Sequence, residues 1–417
     1  YVHGQIADLA EVARILLRTL HQKQALFSSD EPCILYADDL TPSETIQMDT
    51  TKILGFVTKE GTPTSHTAIL GVPAIVATGT DVDASHDGKT AVIDGFSGVV
   101  YLEPTPAILS GTKEKQSQSI HLKELLQQLK GLPSETIDGH RIEVAANVSS
   151  ASDLSAVLKN DAEGIGLFRS EFIYMGRETL PSEEEQFNIY KLAIETMAGK
   201  RVIIRTLDIG ADKEASSFHL PKEDNPALGL RAIRISLKRP EIFKVQLRAI
   251  LRASAYGKAA IMFPLITSVW EVWKAKEILT EVQMELDKKG IAYDKQMEIG
   301  IMIETPAAAL ISDKLAKEVD FFSIGTNDLS QYTLVVDRTS RNLTDFFNPH
   351  HPAVLKLIQM TVENAHKAGI WVGMCGELGS DLSITETFLK MGVDEFSVAP
   401  YSVLPLRQQI RGIDLRK

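Results

Sequence analysis

Polar side chains that can hold an anion and a metal ion follow several apolar runs in the second half of the sequence. They are Arg169, Arg205, Lys213, Arg231, Glu304, Asn327, Asp328, Arg338 and Cys375. Several guanidinium groups together match an anion that carries several oxygens, because each arginine donates in a planar fork. Arg205 is the strongest case, since an arginine inside the apolar run 202–207 points into an interior, where an unpaired cation is costly.

Two acids in this set can bind a cation. Glu304 and Asp328 follow neighbouring apolar runs, so we expect their carboxylates to lie close together. Magnesium prefers one or two carboxylates together with water and phosphate oxygens. The pattern therefore predicts a site for a small phosphorylated carboxylate with Mg²⁺. The alternative is that both acids only form structural ion pairs with arginines.

The thiol of Cys375 follows another apolar run and is flanked by Gly373 and Gly376. A cysteine is more often an inert buried residue, and that interpretation stays open. At the rim of an anion site, a neutral thiol can instead deliver a proton, because its protonated form persists near neutral pH.

A second group of reactive residue types lies near the N-terminus, in Gly61-Thr62-Pro63-Thr64-Ser65-His66-Thr67-Ala68-Ile69. Hydroxyl residues precede His66 and an apolar segment follows it, which is typical of the start of a helix. A phosphoryl group on this histidine would lie near free backbone N–H groups and the positive end of the helix. The segment therefore suits a phosphohistidine, in which imidazole is the nucleophile. The alternative is a structural histidine.

The rim residues need a scaffold that brings the ends of many strands together. Eight apolar runs alternate with longer segments at helical spacing: 142–147, 164–168, 202–207, 259–264, 299–303, 321–325, 370–373 and 395–398. This alternation predicts an α/β fold, a (β/α)8 barrel whose chemistry sits at the carboxyl ends of the strands. An open doubly wound sheet is the competing layout, but no dinucleotide-binding glycine motif supports it.

The sequence before the barrel divides into two further parts. Short β-rich runs separated by glycine turns predict a small α/β domain over residues 27–105. Leucines at helical spacing in 120–129 then predict a helical linker over residues 106–132. The barrel follows in residues 133–417, and the small domain is expected to swing relative to it.

Composition limits the classes of function. With 44 basic and 55 acidic side chains, the net charge of −11 argues against a nucleic-acid or anionic-membrane binder. Two cysteines cannot form a disulfide framework, so we expect a cytoplasmic protein. No apolar run approaches the length needed to cross a bilayer, so no membrane partner is expected.

At these motifs the sequence resembles enzyme I of the bacterial phosphotransferase system, the phosphoenolpyruvate–protein phosphotransferases. The resemblance spans essentially the whole chain. Its motifs are 40–45 and 64–69 in the small domain, and 166–172, 205–210, 225–231, 325–329 and 373–378 in the barrel. Several long motifs in the same order are far more specific than any one of them.

The resemblance implies that phosphoenolpyruvate with Mg²⁺ phosphorylates His66, and that the phosphoryl group then passes to the histidine phosphocarrier protein (HPr). Substrate binding is implied for Arg169, Arg205, Asn327 and Arg338, with Arg231 and Lys213 assisting. Glu304 and Asp328 are implied to hold the metal, and Cys375 to protonate the enolpyruvate as pyruvate forms. A homodimer through the barrel is also implied.

Two features depart from the family pattern. Residues 1–26 resemble only a remnant helix of the N-terminal phosphocarrier-binding domain. In addition, Leu70 is followed at once by Gly71-Val72-Pro73, where the family continues the histidine helix with a stretch that usually contains an arginine. We expect that residues are missing from the sequence at this junction.

Two other functions compete with this interpretation. A fragment similar to pyruvate phosphate dikinase or phosphoenolpyruvate synthase shares both domain types, but it needs a nucleotide-binding domain, and no phosphate-cradling glycine loop is present. The other is a non-catalytic module that senses phosphoenolpyruvate, which only the shortened histidine helix supports.

Overall fold

The computed structural model of this chain describes residues 31–38, 52–59, 74–76, 78–79, 82–95, 97–210, 216–218, 220, 223–338 and 340–417. The predicted remnant helix of residues 1–26 and the junction after Leu70 lie outside these residues. The chain forms two compact units, residues 1–123 and 124–417.

The described residues of the first unit form two small sheets. Strands β1, β2 and β3 form a parallel sheet in that order, at Cys33–Ala37, Ile53–Thr58 and Ala74–Ile75. Strands β4 and β5 form an antiparallel hairpin, at Ala91–Asp94 and Val99–Leu102. Phe56 is fully buried on β2, so this sheet has its own apolar core.

Helix α1 spans Pro106–Gln127 and carries the chain from the first unit to the second. It begins well before the leucine repeat that predicted it and includes the polar stretch around Gly111. Leu126 is its buried residue, and Lys115 forms an ion pair with Asp94 at 3.0 Å. Most of this helix is therefore a polar, solvated segment.

The second unit is built on a closed barrel of eight parallel strands, which confirms the predicted fold and excludes the open sheet. The strands are β6 (Glu143–Val148), β7 (Ile165–Arg169), β8 (Val202–Arg205), β9 (Ala259–Phe263), β10 (Glu298–Ile303), β11 (Phe321–Ile324), β12 (Trp371–Met374) and β13 (Glu395–Val398). Strand β13 pairs with β6 and closes the barrel.

Helices follow the strands. They are α2 (Leu154–Lys159), α3 (Glu183–Thr196), α4 (Ile233–Lys238), α5 (Pro240–Ser254), α6 (Val269–Lys289), α7 (Pro306–Leu310), α8 (Ser312–Leu315), α9 (Thr326–Leu334), α10 (Pro352–Ala368), α11 (Thr385–Met391) and α12 (Val403–Arg411). Local sequence sets their ends: Ser268 and Glu271 form a capping box at the start of α6, and Gly290 ends it at φ +65°. Among the described residues, no helix is long and apolar enough to span a membrane.

Strand residues alternate between two cores. Val202 and Ile204 pack in the layer shared with the helices, whereas Ile203 belongs to a separate cluster inside the barrel. Because successive side chains on a strand point to opposite faces, a strand covered on both faces is apolar throughout. The interior cluster consists of Leu167, Ile203, Ala260, Met262, Met302, Phe321 and Cys375.

The amino end of the barrel is closed by a cluster of charges around Arg201. Its guanidinium group contacts three carboxylates, those of Glu143 at 2.6 Å, Glu395 at 3.3 Å and Glu298 at 3.4 Å. The guanidinium also lies 4.0 Å from the ring centroid of Trp371. Burial, reinforced by repulsion from Glu143, raises the pKa of Glu395 to about 8. One cation thus faces three acids, and Glu395 holds a proton at neutral pH.

We predict that Glu395→Gln makes stability less sensitive to pH. The carboxyl of Glu395 keeps its proton to about pH 8 in the folded chain but only to about 4.5 when unfolded, so wild-type stability falls as pH rises through this window. Between pH 5 and 8, the wild type should lose at least about 1.4 kcal/mol more unfolding free energy than the variant, the equivalent of one pKa unit. Urea unfolding at both pH values measures this loss, with the exposed Glu386→Gln as control; equal losses in wild type and Glu395→Gln contradict the prediction.

Candidate active site

The carboxyl ends of the barrel strands carry the polar side chains that the sequence singled out. Ile203 and Met302 lie in the interior cluster, and the residues two positions further on are Arg205 and Glu304. Side chains two residues apart on a strand share a face, so both continue the interior towards the mouth of the barrel. Arg205 Nη1 lies 3.7 Å from Met302 Sδ, which shows that the guanidinium reaches across this interior.

Arg205 is held by two buried acids. Its Nη2 donates to Glu171 Oε1 at 2.6 Å, and its Nη1 lies 3.1 Å from Asp208 Oδ2. Burial lowers the pKa of Arg205, but attraction to Glu171 and Asp208 outweighs it and raises the pKa above its usual value. Arg205 is only 5% exposed and therefore stays charged in a fixed position.

Arg231 is bound to the same acid, Asp208. Its Nε donates to Asp208 Oδ1 at 3.0 Å, and its Nη1 donates to Asp328 Oδ1 and to the hydroxyl of Tyr332, both at 3.1 Å. Tyr332 in turn donates to the carbonyl of Ala227. The segment that carries Arg231 follows β8 and is tied by these bonds to α9.

Two further arginines are less constrained. Arg169 ends β7 and pairs in register with Arg205 on β8, so the two lie side by side. Its guanidinium makes no hydrogen bond or ion pair within the described ranges. Arg338 contacts Asp328 at 3.8 Å and keeps 26% of its side chain exposed. These two cations can turn towards a ligand with little rearrangement.

Glu304 is a buried acid with one carboxylate oxygen that lacks a donor among the described residues. Its Oε1 accepts a hydrogen bond from the backbone N–H of Leu265 at 2.6 Å, while its buried Oε2 has no hydrogen-bond partner among the described residues. Burial, followed by repulsion from Asp328 and Asp208, raises the pKa of Glu304 to about 7. A fully buried oxygen without a donor, next to other acids, suits a cation.

These residues fit a magnesium ion. Within the described parts of the chain, no group of three or more His, Cys, Asp or Glu side chains is arranged to hold a metal. Magnesium does not need such a cage, because water and substrate oxygens complete its shell. The alternative of structural ion pairs applies to Asp328, which contacts Arg231 and Arg338, but not to Glu304, which forms no ion pair with any described residue.

Cys375 lies at the inner edge of the same mouth. It follows β12, is 4% exposed, and belongs to the interior cluster of the barrel. Its Sγ is 3.7 Å from the carbonyl oxygen of Ile324. Burial raises the pKa of the thiol to about 11, although Arg205 acts to lower it. The group is therefore a protonated thiol at neutral pH.

Asn327 lies at the start of α9 and pairs with Glu377 of the next strand–helix loop. Its Nδ2 donates to Glu377 Oε1 at 3.2 Å, and its Oδ1 accepts from Glu377 N at 2.8 Å.

Of the residues that the sequence singled out, His66 and Lys213 lie outside the described residues.

Four residues that position this site were assigned no role from the sequence: Glu171, Asp208, Tyr332 and Glu377. The signal was present for the three acids, because each lies within a few residues of a candidate arginine, asparagine or thiol. A buried guanidinium needs a carboxylate within reach, so acids in the same motif are its first candidates. Tyr332 carried no such signal.

Comparison with known proteins identifies the family to which this chain is similar. Residues 123–415 match the family described as PEP-utilising enzyme, PEP-binding domain, and residues 29–98 match PEP-utilising enzyme, mobile domain. Similar relatives named phosphoenolpyruvate-protein phosphotransferase come from Staphylococcus carnosus, Haemophilus influenzae and Bacillus subtilis. They are 44%, 45% and 46% identical over 99%, 100% and 98% of this chain, which covers 73% of each relative.

The fold and the site first define a phosphoenolpyruvate-utilising enzyme, by the match that covers the barrel. The chain belongs to the phosphoenolpyruvate–protein phosphotransferase family, as the identity over nearly its whole length shows. The family predicted from the sequence motifs is confirmed.

We predict that Asp208→Ala destabilises the barrel by about 3–5 kcal/mol, because it removes one partner from two buried guanidinium groups. The free energy of unfolding in urea measures the loss. Asp345→Ala, a change of the same kind at an exposed acid, should cost less than about 0.5 kcal/mol. A loss below about 1 kcal/mol in Asp208→Ala would show that the other acids suffice to hold Arg205 and Arg231.

Proposed function

We propose that this chain transfers the phosphoryl group of phosphoenolpyruvate to His66, releases pyruvate, and passes the phosphoryl group on to HPr. One observation carries the proposal: guanidinium groups, a buried acid pair and a protonated thiol lie at the mouth of the barrel in a chain of this family. We assign His66 to a phosphohistidine domain of residues 27–105 and the substrate site to residues 133–417, with 106–132 as the linker between them.

The proposed transfer balances without a further reactant. An imidazole nitrogen of His66 forms a bond to phosphorus while the bond from phosphorus to the enol oxygen breaks. The enolate that remains takes a proton at its methylene carbon from the thiol of Cys375, which gives pyruvate. The thiolate then regains a proton from water.

The cations would bind the substrate by offsetting its charge, as phosphoryl transfer requires. We assign substrate binding to Arg169, Arg205, Asn327 and Arg338, with Arg231 and Lys213 assisting; Asn327 contributes a neutral amide donor. Arg205 is fixed by its acids, so it can orient an anion without paying the entropy of ordering its side chain. Arg169 has no partner among the described residues and can give its full donor set to the ligand.

Glu304 and Asp328 would hold Mg²⁺. When bound there, the ion neutralises charge on phosphoryl oxygens and helps to orient them. The support from this chain is the buried Oε2 of Glu304, which has no donor in the part of the chain that the structure describes, and the repulsion between Glu304 and Asp328 that a cation relieves.

The thiol of Cys375 suits the role of general acid. A pKa of about 11 keeps it protonated at neutral pH, and it makes the return of the proton from water to the thiolate favourable. Arg205 acts on the thiol in the opposite direction and would stabilise the thiolate while it exists.

The wider setting belongs to the same proposal. HPr is the proposed acceptor, the barrel domain is the proposed surface of a homodimer, and the cytoplasm is the proposed location. Both cysteines are free thiols, which suits a reducing compartment.

We predict that wild-type protein mixed with labelled phosphoenolpyruvate and Mg²⁺ forms an acid-labile phosphohistidine and pyruvate. His66→Ala should form no phosphoprotein while keeping its affinity for phosphoenolpyruvate, because the barrel binds the substrate. Phosphoprotein labelling and calorimetric titration measure the two properties.

The matched control is His86→Ala, at a histidine of the same unit that we place outside the site; it should label like the wild type. Label that reaches His66 from ATP would instead favour a dikinase. Wild-type protein that binds phosphoenolpyruvate but forms neither product would favour a sensor.

We predict that Cys375→Ala lowers kcat for pyruvate formation at least about 100-fold, the lower range for loss of a general acid, with KM for phosphoenolpyruvate changed less than about threefold. Coupled lactate dehydrogenase measures the pyruvate, with HPr present as acceptor so that His66 is available again for each turnover. Cys33→Ala, at the other free cysteine, should behave as wild type. An unchanged kcat in Cys375→Ala would return this thiol to a packing role.

A further inference from the structure

Glu377 and Asn327 form a reciprocal pair across two loops of the barrel mouth. Asn327 follows β11 and Glu377 follows β12, which also leads into Cys375. The side-chain amide of Asn327 donates to the Glu377 carboxylate at 3.2 Å and accepts from the Glu377 backbone N–H at 2.8 Å. Both ends of one amide are thus bonded to a single residue.

The backbones of the two loops are also in direct contact. A Cβ atom at Gly376 would collide with the hydroxyl of Thr326 and lie 2.6 Å from its backbone nitrogen. Only glycine fits here, because the loop after β12 packs on the first residue of α9. The Asn327–Glu377 pair therefore joins two loops whose backbones already pack against each other at Gly376 and Thr326.

The pair decides which end of the Asn327 amide faces the mouth. An amide presents either an acceptor oxygen or a donor NH₂ group, and an anion accepts only from the donor. With Oδ1 taken by Glu377 N, and one Nδ2 hydrogen by the carboxylate, the second Nδ2 hydrogen remains for a ligand. Without the carboxylate, the amide is held only through Oδ1, by Glu377 N and, at 3.4 Å, by the hydroxyl of Thr326, and its NH₂ group has no acceptor among the described residues to fix its direction.

We infer that Glu377 is a positioning residue that holds Asn327 with its NH₂ group towards the bound anion. The inference rests on the proposed function, in which Asn327 binds phosphoenolpyruvate. Glu377 is exposed and forms no ion pair with any described residue, so packing and charge pairing do not account for its place.

The negative charge of Glu377 allows a positioning role to be distinguished from a passive one. A carboxylate beside an anion site repels the anion, so a carboxylate without a positioning role would weaken binding and its removal would strengthen it. A carboxylate that positions Asn327 has the opposite effect, and its removal weakens binding. The two roles predict changes of opposite sign.

The experiment is a double-mutant cycle with Glu377→Ala, Asn327→Ala and the double variant. Glu377→Ala should raise KM for phosphoenolpyruvate about 5–10-fold, in the range for loss of one ordinary hydrogen bond, and change kcat less than about threefold. In the Asn327→Ala background, Glu377→Ala should have no further unfavourable effect. Glu377→Gln, which keeps an acceptor oxygen, should restore KM to within about threefold of wild type.

Glu386→Ala is the matched control, because it removes an exposed glutamate of α11 that pairs only with Lys390 among the described residues. A lower or unchanged KM in Glu377→Ala, or an equal rise in both backgrounds, would overturn the inference. Calorimetric titration with phosphoenolpyruvate reads the same cycle as Kd. Loss of turnover in the wild type with an intact binding cycle would therefore contradict the proposed function alone.

Discussion

The site depends on the ion pairs that Asp208 makes with Arg205 and Arg231. One buried carboxylate holds two buried guanidinium groups, from the end of β8 and from the segment after it. Glu171 and Asp328 extend this arrangement on either side, so cations and acids alternate around the mouth of the barrel. Burying either cation alone would be costly, and the alternation is what allows several charged groups to sit at nearly zero exposure.

In this arrangement, two arginines are held firmly by acids and two are less constrained. Arg205 and Arg231 make most of their bonds within the protein, so their positions do not depend on a ligand. Arg169 has no such bonds among the described residues, and Arg338 contacts its acid only at 3.8 Å. In a site built in this way, the fixed guanidinium groups of Arg205 and Arg231 lower the entropy cost of binding an anion, because their side chains are already ordered.

Much of the fold was predictable from sequence, because a barrel strand covered on both faces must be apolar and short. All eight apolar runs became strands, and α1 begins at Pro106, at the start of the predicted helical linker of residues 106–132, although its first half is polar. The proximity of the arginines could also be predicted, because they follow the carboxyl ends of barrel strands. The acids that hold them could not, because a sequence shows which residues need partners but not which partners the fold brings within reach, as Asp208 and Glu171 illustrate.

The balance of charges at the mouth of the barrel is a further argument for the proposed metal ion. Among the described residues, the arginines of the mouth are Arg169, Arg205, Arg231 and Arg338, and the acids are Glu171, Asp208, Glu304, Asp328 and Glu377. Four cations against five acids leave no positive surplus to attract a small, highly charged anion. Burial, followed by repulsion from Asp328 and Asp208, raises the pKa of Glu304 to about 7. A divalent ion on Glu304 and Asp328 would cancel two of these negative charges, so under the proposed function its electrostatic contribution is to release the arginines for the substrate.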